Sequence, residues 1–356
     1  MIPALRCSVS ELNFDTLSAA IEEQHRQIPF SGVIHVAHQD TPIFSHAYGL
    51  ANRSDQIPNR LNTRFGIASG GKIFTATAIS QLVSAGLLSF EQPLADIIPD
   101  LLPKLDPRVT IAHLLTHTSG IPDYFDEEDE SDYEACWRKV PVYQMRSALD
   151  FIPFIRDKKM KFNPGERFGY SNMGFVLLGL VIGKVAGMRF QAYIEEKIFA
   201  PAWMRSSGYF SSDCLPAHCA TGYILEPDGT WRSNIFSIPV IGHGDGGVYT
   251  TAADMGRFWK ALFSRAYFDA EMLASMTHAH IQIKPGSPHH YGYGVWMDEI
   301  TGQKGYSITG EDPGVDFNSS FYPDANLQIT LLANTNDALW PMEKTIHNEI
   351  FGLDQA

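Results

Sequence analysis

Positive charge is in short supply. Across 356 residues, 27 lysines and arginines stand against 40 aspartates and glutamates, a net charge of −13. Nucleic acids and anionic membrane surfaces both require a basic face, so neither is expected as a partner. No apolar run reaches about 18 residues, so no membrane span is expected. Met1 to Cys7 has neither a basic start nor a long apolar core and does not read as a signal peptide. The chain is therefore expected to be cytoplasmic as given, or periplasmic or secreted if a signal has been removed. Cysteine is scarce and unpatterned: Cys7, Cys136, Cys214 and Cys219 form no C-x-x-C pair. Cys214 and Cys219 are close enough to bridge, but free buried thiols are the expectation in a chain this size.

The remaining composition, 44% hydrophobic, 12% aromatic and 19% charged, is that of an ordinary folded protein long enough for two lobes. The acidic excess is concentrated between Asp123 and Glu134 and is expected to form a solvated loop, although Tyr124, Phe125 and Tyr133 lie within it. Phe14, Leu17 and Ile21 predict a short amphipathic helix. Val33 to Ala37 and Ile43 to Tyr48 predict a hairpin, and Ser69 to Leu88 a helix with Gly86 as its stop. Val109 to Thr116 reads as helical, and Phe175 to Val185, apolar on nearly all sides, as a buried helix. Thr251 caps a helix containing Phe258, Trp259 and Leu262.

From Tyr291 onward the pattern changes to strands. They include Gly294 to Ile300, Val315 to Tyr322 and Leu327 to Ala333, with Met342 to Phe351 as a last helix. Short loops between neighbouring strands imply antiparallel pairing. Strands at both ends and helices between them imply an α+β, α/β-sandwich fold with one mainly antiparallel sheet, flanked by helices, and an inserted helical lobe. A single domain spans 1–356, with the sheet lobe near 1–65 and 240–356 and the helical lobe near 66–239.

Three chemistries were weighed. Gly66 to Lys72 spells G-x-x-x-x-G-K, but Ile73 stands where a phosphate loop needs Ser or Thr for magnesium, and no parallel succession follows. His113 and His117 have zinc-like spacing, yet Leu114 replaces the glutamate and no third ligand is evident. A pair of histidines supporting a loop through hydrogen bonds is the better reading, and His278, His280, His289 and His290 read as surface residues. No metal or cofactor is therefore expected. Nucleophilic catalysis has more in its favour. Ser69 lies three residues before Lys72 at a helix entrance, Tyr170-Ser171-Asn172 precedes a buried helix, and Thr309-Gly310 falls in the strand-rich end.

These pieces resemble the serine β-lactamase and D,D-peptidase superfamily, nearest its class C-like branch, over about Ser31 to Asn334. Ser69-Gly70-Gly71-Lys72 matches S-x-x-K and Tyr170-Ser171-Asn172 matches Y-x-N. His113 to Gly120, and Gly246 to Thr251 followed by Asp254, match two further stretches of that branch. The resemblance implies a serine acyl hydrolase with a small-molecule or peptide substrate: an ester, a D-amino-acid peptide or amide, or a β-lactam. Ser69 would be the acylated nucleophile and Lys72 its partner. Tyr170 would relay the proton, its pKa lowered by two nearby cations, and Asn172 would hold the substrate amide. The backbone N–H groups of Ser69 and Glu311 would form an oxyanion hole. The third motif departs from the pattern. It reads Ile308-Thr309-Gly310, so a substrate carboxylate would meet apolar Ile308 instead of a cation, which disfavours β-lactams. Glu311-Asp312 would favour a free amine, although solvent-facing carboxylates are the more ordinary reading. The alternative is a non-catalytic or penicillin-binding protein on the same fold.

Overall fold

The computed structural model describes residues 14–99 and 101–353. Cys7 and the opening segment lie outside them. Helix α1 (Phe14–Gln27) leads into a hairpin, β1 (Gly32–His38) and β2 (Thr41–Tyr48). The long middle of the chain carries α2 (Lys72–Ser84), α3 (Asn172–Ala186) and α4 (Ala252–Phe263). Six strands follow: β3 (Ile281–Gln282), β4 (His290–Tyr291), β5 (Trp296–Ile300), β6 (Gln303–Asp312), β7 (Val315–Tyr322) and β8 (Leu327–Ala333). Helix α5 (Leu339–Phe351) completes the described fold.

The eight strands form one sheet in the order β2-β1-β8-β7-β6-β5-β4-β3, with every neighbouring pair antiparallel. The N-terminal hairpin joins the C-terminal strands through β1 and β8, in register from Gly32 opposite Ala333 to His38 opposite Leu327. This is the mainly antiparallel sheet built from both ends of the chain that the pattern predicts.

Strand alternation divides the apolar side chains between two layers. Ile34, Val36, Ile329 and Leu331 pack with Leu17 and Ile21 of α1 and Met342 and Ile346 of α5. Val33, Phe317 and Leu332 point the other way, into a core shared with Phe74 of α2, Phe175 of α3 and Phe258 of α4. Phe74 meets Phe199 and Phe258 edge-on, each at 4.9 Å between ring centres. Helix α2 is thereby fixed against both the sheet side and the helical middle.

Several boundaries shift from the expectation. The Ser69 helix begins as a tight 3-10 turn, Ala68–Gly71, and turns α-helical only at Lys72. Thr251 caps α4 as expected, accepting a hydrogen bond from the Asp254 N–H. Strand β6 starts at Gln303, directly after a turn with positive φ at Thr301 and Gly302. Cys136, Cys214 and Cys219 are free thiols, as expected, but none is fully buried: Cys136 and Cys219 are half-buried and Cys214 is exposed. No single helix among the described residues is long and apolar enough to cross a membrane.

Candidate active site

The 3-10 turn holding Ser69 is under backbone strain and tight packing. Ala68 has φ +44°, a left-handed conformation that costs an alanine energy and is kept only where the surroundings enforce it. The enforcement comes from two sides. The Gly247 N–H donates to the Ala68 carbonyl, and the Ile67 N–H donates to the Val248 carbonyl. On the other side β6 presses so closely that a Cβ on Gly310 would lie 2.1 Å from the Ile67 carbonyl oxygen and 2.8 Å from the Gly70 nitrogen. The glycine in the third motif is thus required by contact with the nucleophile turn.

Lys72, the first residue of α2, is 2% exposed. Its Nζ lies 2.8 Å from Ser69 Oγ, 2.7 Å from Asn172 Oδ1 and 2.7 Å from the Asp245 carbonyl oxygen. Burial lowers its pKa, against the pull of surrounding carboxylates led by Asp245 and Glu127. In its neutral form the amine can donate to the two carbonyl oxygens and offer its lone pair to the Ser69 proton.

Tyr170 stands above this amine, with Nζ 5.0 Å from its ring centre. Its ring lies between His117, at 4.2 Å, and Trp296, stacked at 6.2 Å. The expected fall in its pKa is not found. Burial pushes it well above the ordinary value, reinforced by Glu127, and a hydrogen bond with Ser69 only partly offsets this. Two cations were expected near it, whereas the Lys72 amine stands beside it and the third motif carries apolar Ile308 in place of a second. Tyr170 is therefore a neutral phenol in the resting protein, suited to relaying a proton and not to acting as the initial base.

His117 is fully buried with φ +56° and holds this arrangement in place. Its Nδ1 accepts from the Ser171 N–H at 3.1 Å, which leaves Nε2–H to donate to the Tyr291 hydroxyl at 3.2 Å. Desolvation keeps its pKa well below the ordinary histidine value. His113 accepts from the Thr110 N–H in the cap of the short helix Ile111–Leu115. Both histidines support loops through hydrogen bonds, as the sequence implied.

The Asp123–Glu134 segment corrects the solvated-loop expectation. Glu127 to Asp132 face solvent on one side, but the segment also walls a cleft of about 690 Å³ that contains Ser69, Tyr170 and Asn172. Asp123 is 2% exposed and accepts from the N–H groups of Asn172 at 2.6 Å and Met173 at 3.1 Å, where α3 begins. The Tyr124 hydroxyl donates to Asp245 Oδ2 at 2.7 Å. Lys161 grips Asp126 and Glu128, and Arg232 grips Glu134. Tyr124, Phe125 and Tyr133 were the available signal, since a purely solvated loop has no use for three aromatics.

Asn172 is held at both ends of its amide: Oδ1 accepts from Lys72, and Nδ2 donates to Glu127 at 2.9 Å. One N–H remains for a substrate. Thr309, Gly310 and Glu311 line the cleft, as expected. Ile308 does not. It is 2% exposed in the core beneath the sheet, because strand alternation turns it away from Thr309. The third motif therefore offers a substrate carboxylate neither a cation nor the side chain of Ile308. Asp312 lines it beside Glu311, and Glu127, Asp245 and Trp296, which were not singled out as site residues, also line it.

Burial also raises four carboxyl pKa values: Asp123 to about 7, Asp312 to about 8, Asp316 to about 7 and Glu343 to about 7. The folded chain holds these protons where the unfolded chain has lost them, so their contribution is present at low pH and disappears as pH rises through 7 to 8. Buried His117, His243 and His347, all lowered by desolvation, act in the opposite sense, but only below the ordinary histidine value of about 6.5. Above that, the lowered Lys72 opposes the trend as one group against four. The melting temperature should therefore fall by about 2–4 °C or more between pH 6.5 and 8.5. Differential scanning fluorimetry in matched ionic strength tests this, and a flat or rising profile would refute it.

Fold and pocket together define a serine acyl hydrolase, and similarity to known proteins agrees. Residues 17–351 match the family model named Beta-lactamase, and the chain belongs to that family. It is similar to a penicillin binding protein from Bacillus halodurans of known structure. They share 45% identity and a TM-score of 0.87, covering 93% of this chain and 99% of that one. A penicillin-binding protein of Bacillus subtilis is 29% identical over 344 residues, 91% of this chain and 72% of the relative. The esterase EstB of Burkholderia gladioli is 27% identical over 292 residues, 72% of each chain.

Proposed function

We propose that this hydrolase acts on esters and on amides or peptides of D-amino acids through an acyl-enzyme on Ser69, in preference to β-lactams. The observation that carries the proposal is Lys72 Nζ, buried and 2.8 Å from Ser69 Oγ. In acylation, Ser69 Oγ bonds to the substrate carbonyl carbon as its proton passes to Lys72. The tetrahedral oxyanion lies against the backbone N–H groups of Ser69 and Glu311. The bond to the leaving group then breaks, and that group takes a proton delivered from Lys72 through the Tyr170 hydroxyl. Water repeats the sequence, forming a new C–O bond, breaking the ester to Ser69 and returning the proton to it. Asn172 and His117 position the amine and the phenol.

The preference against β-lactams rests on the missing third-motif cation, since Ile308 is buried and apolar. Incubation with a p-nitrophenyl ester, a D-alanyl amide and a penicillin, followed by intact mass and peptide mapping, tests the scheme. An adduct on the Ser69 peptide, with turnover of the ester or the amide, is the expected result. No adduct from any of the three acyl donors would overturn it. A penicillin adduct that forms without turnover of the other two would favour a penicillin-binding role.

A further inference from the structure

The wall of the cleft carries charge of one sign. Glu127, Asp245, Glu311 and Asp312 line it near Ser69, and none of the four is ion-paired among the described residues. No lysine or arginine lines the cleft, and Lys72 is buried beneath Ser69. The acids farther out differ, for Glu134 is held by Arg232 and Asp132 by Arg138. Two of the inner four are held by neutral donors. Glu127 receives Asn172 Nδ2, and Asp245 receives the Tyr124 hydroxyl.

Glu311 and Asp312 have no such donor among the described residues. Glu311 is exposed, whereas Asp312 is partly buried in the cleft wall. Burial pushes its pKa to about 8, with Asp245, Glu127 and Glu311 adding to the rise. An ammonium group placed among these carboxylates supplies the partner that Asp312 lacks and relieves their mutual repulsion. Asp312 follows Glu311, whose backbone N–H is assigned above to the oxyanion, so such an ammonium would sit close to the scissile carbonyl. The third motif adds no opposing positive charge, because Ile308 is apolar and buried.

We infer that the cleft selects acyl substrates bearing a protonated amine near the scissile carbonyl, with Asp312 as the specificity-determining carboxylate and Glu311, Asp245 and Glu127 supplying the surrounding field. The inference rests on the hydrolase scheme above and narrows it to aminoacyl esters, amides and peptides with a free amine. Substrates whose amine is capped by an acidic group meet like charge on every side of the cleft.

Three substrates that differ only in this charge test it: D-alanine p-nitroanilide, its N-acetyl derivative and its N-succinyl derivative. For the unmodified chain at low salt, kcat/KM should fall in that order, by about tenfold or more from the cationic to the neutral substrate. The ratio should shrink as salt is raised. In Asp312→Asn, and to a lesser degree in Glu311→Gln, the same ratio should move toward one. The ratio is internal to each protein, so a general loss of activity in a variant does not imitate the effect. Equal or better turnover of the neutral substrate by the unmodified chain overturns the charge selection while leaving the hydrolase scheme standing. A cationic preference that survives in both variants overturns the assignment to these carboxylates. Failure of all three substrates, together with no Ser69 adduct from an activated ester, overturns both readings.

Discussion

The Ser69→Ala protein should form no acyl adduct and lose hydrolysis by at least about three orders of magnitude. Lys72→Met should produce a loss of similar size, for a different reason. Methionine fills much the same buried space, but no amine then lies 2.8 Å from Ser69 Oγ to take its proton. It also leaves Asn172 Oδ1 and the Asp245 carbonyl without their common donor. The two variants are separable in pre-steady-state kinetics. Lys72→Met retains the nucleophile and should acylate slowly with an activated ester, whereas Ser69→Ala should not acylate at all. Near-normal acylation by Lys72→Met would remove the amine from the mechanism.

Gly310→Ala should lower kcat/KM by about a hundredfold in a chain that still folds. The added Cβ would lie 2.1 Å from the Ile67 carbonyl oxygen and 2.8 Å from the Gly70 nitrogen. Both are backbone atoms, so neither can swing aside as a flexible side chain would. Strand β6 and the Ser69 turn must separate by about 1 Å, and a misplacement of that size costs roughly two orders of magnitude in a reaction that depends on positioning. Steady-state kinetics on an activated ester read this loss, and circular dichroism confirms the retained fold. Kinetics close to those of the unmodified chain would show that the contact between strand and turn is not needed.

Much of the sheet was legible because its signals are local. Val315–Tyr322 and Leu327–Ala333 occur where the strand pattern places them. Ser69, Lys72, Tyr170 and Asn172 do converge, but what brought them together in the sequence was the order of several motifs, not the chemistry of any one. The misreadings share a cause in long-range contact. Asp123 is an anchored cap only because α3 begins 49 residues later in the chain and presents its N–H groups. Ile308 was assigned to the cleft by its place in a motif, whereas the pleat of β6 sends it into the core. Tyr170 was expected to have a lowered pKa from neighbouring charge, and burial acts more strongly in the opposite direction.

The tether between Asp123 and α3 limits how this family member can be recombined. The cleft wall looks like a cassette, bounded by Asp123 and Glu134 and full of exposed positions. Its first residue completes the N-terminus of α3, and its later acids engage Lys161, Arg167 and Arg232. A loop transplanted from a relative without an acid at the first position would leave α3 without its carboxylate partner and those cations without theirs. New specificities are thus more accessible by point changes at Glu130 and Ser131, which line the cleft and hold none of these cations, than by exchange of the whole segment.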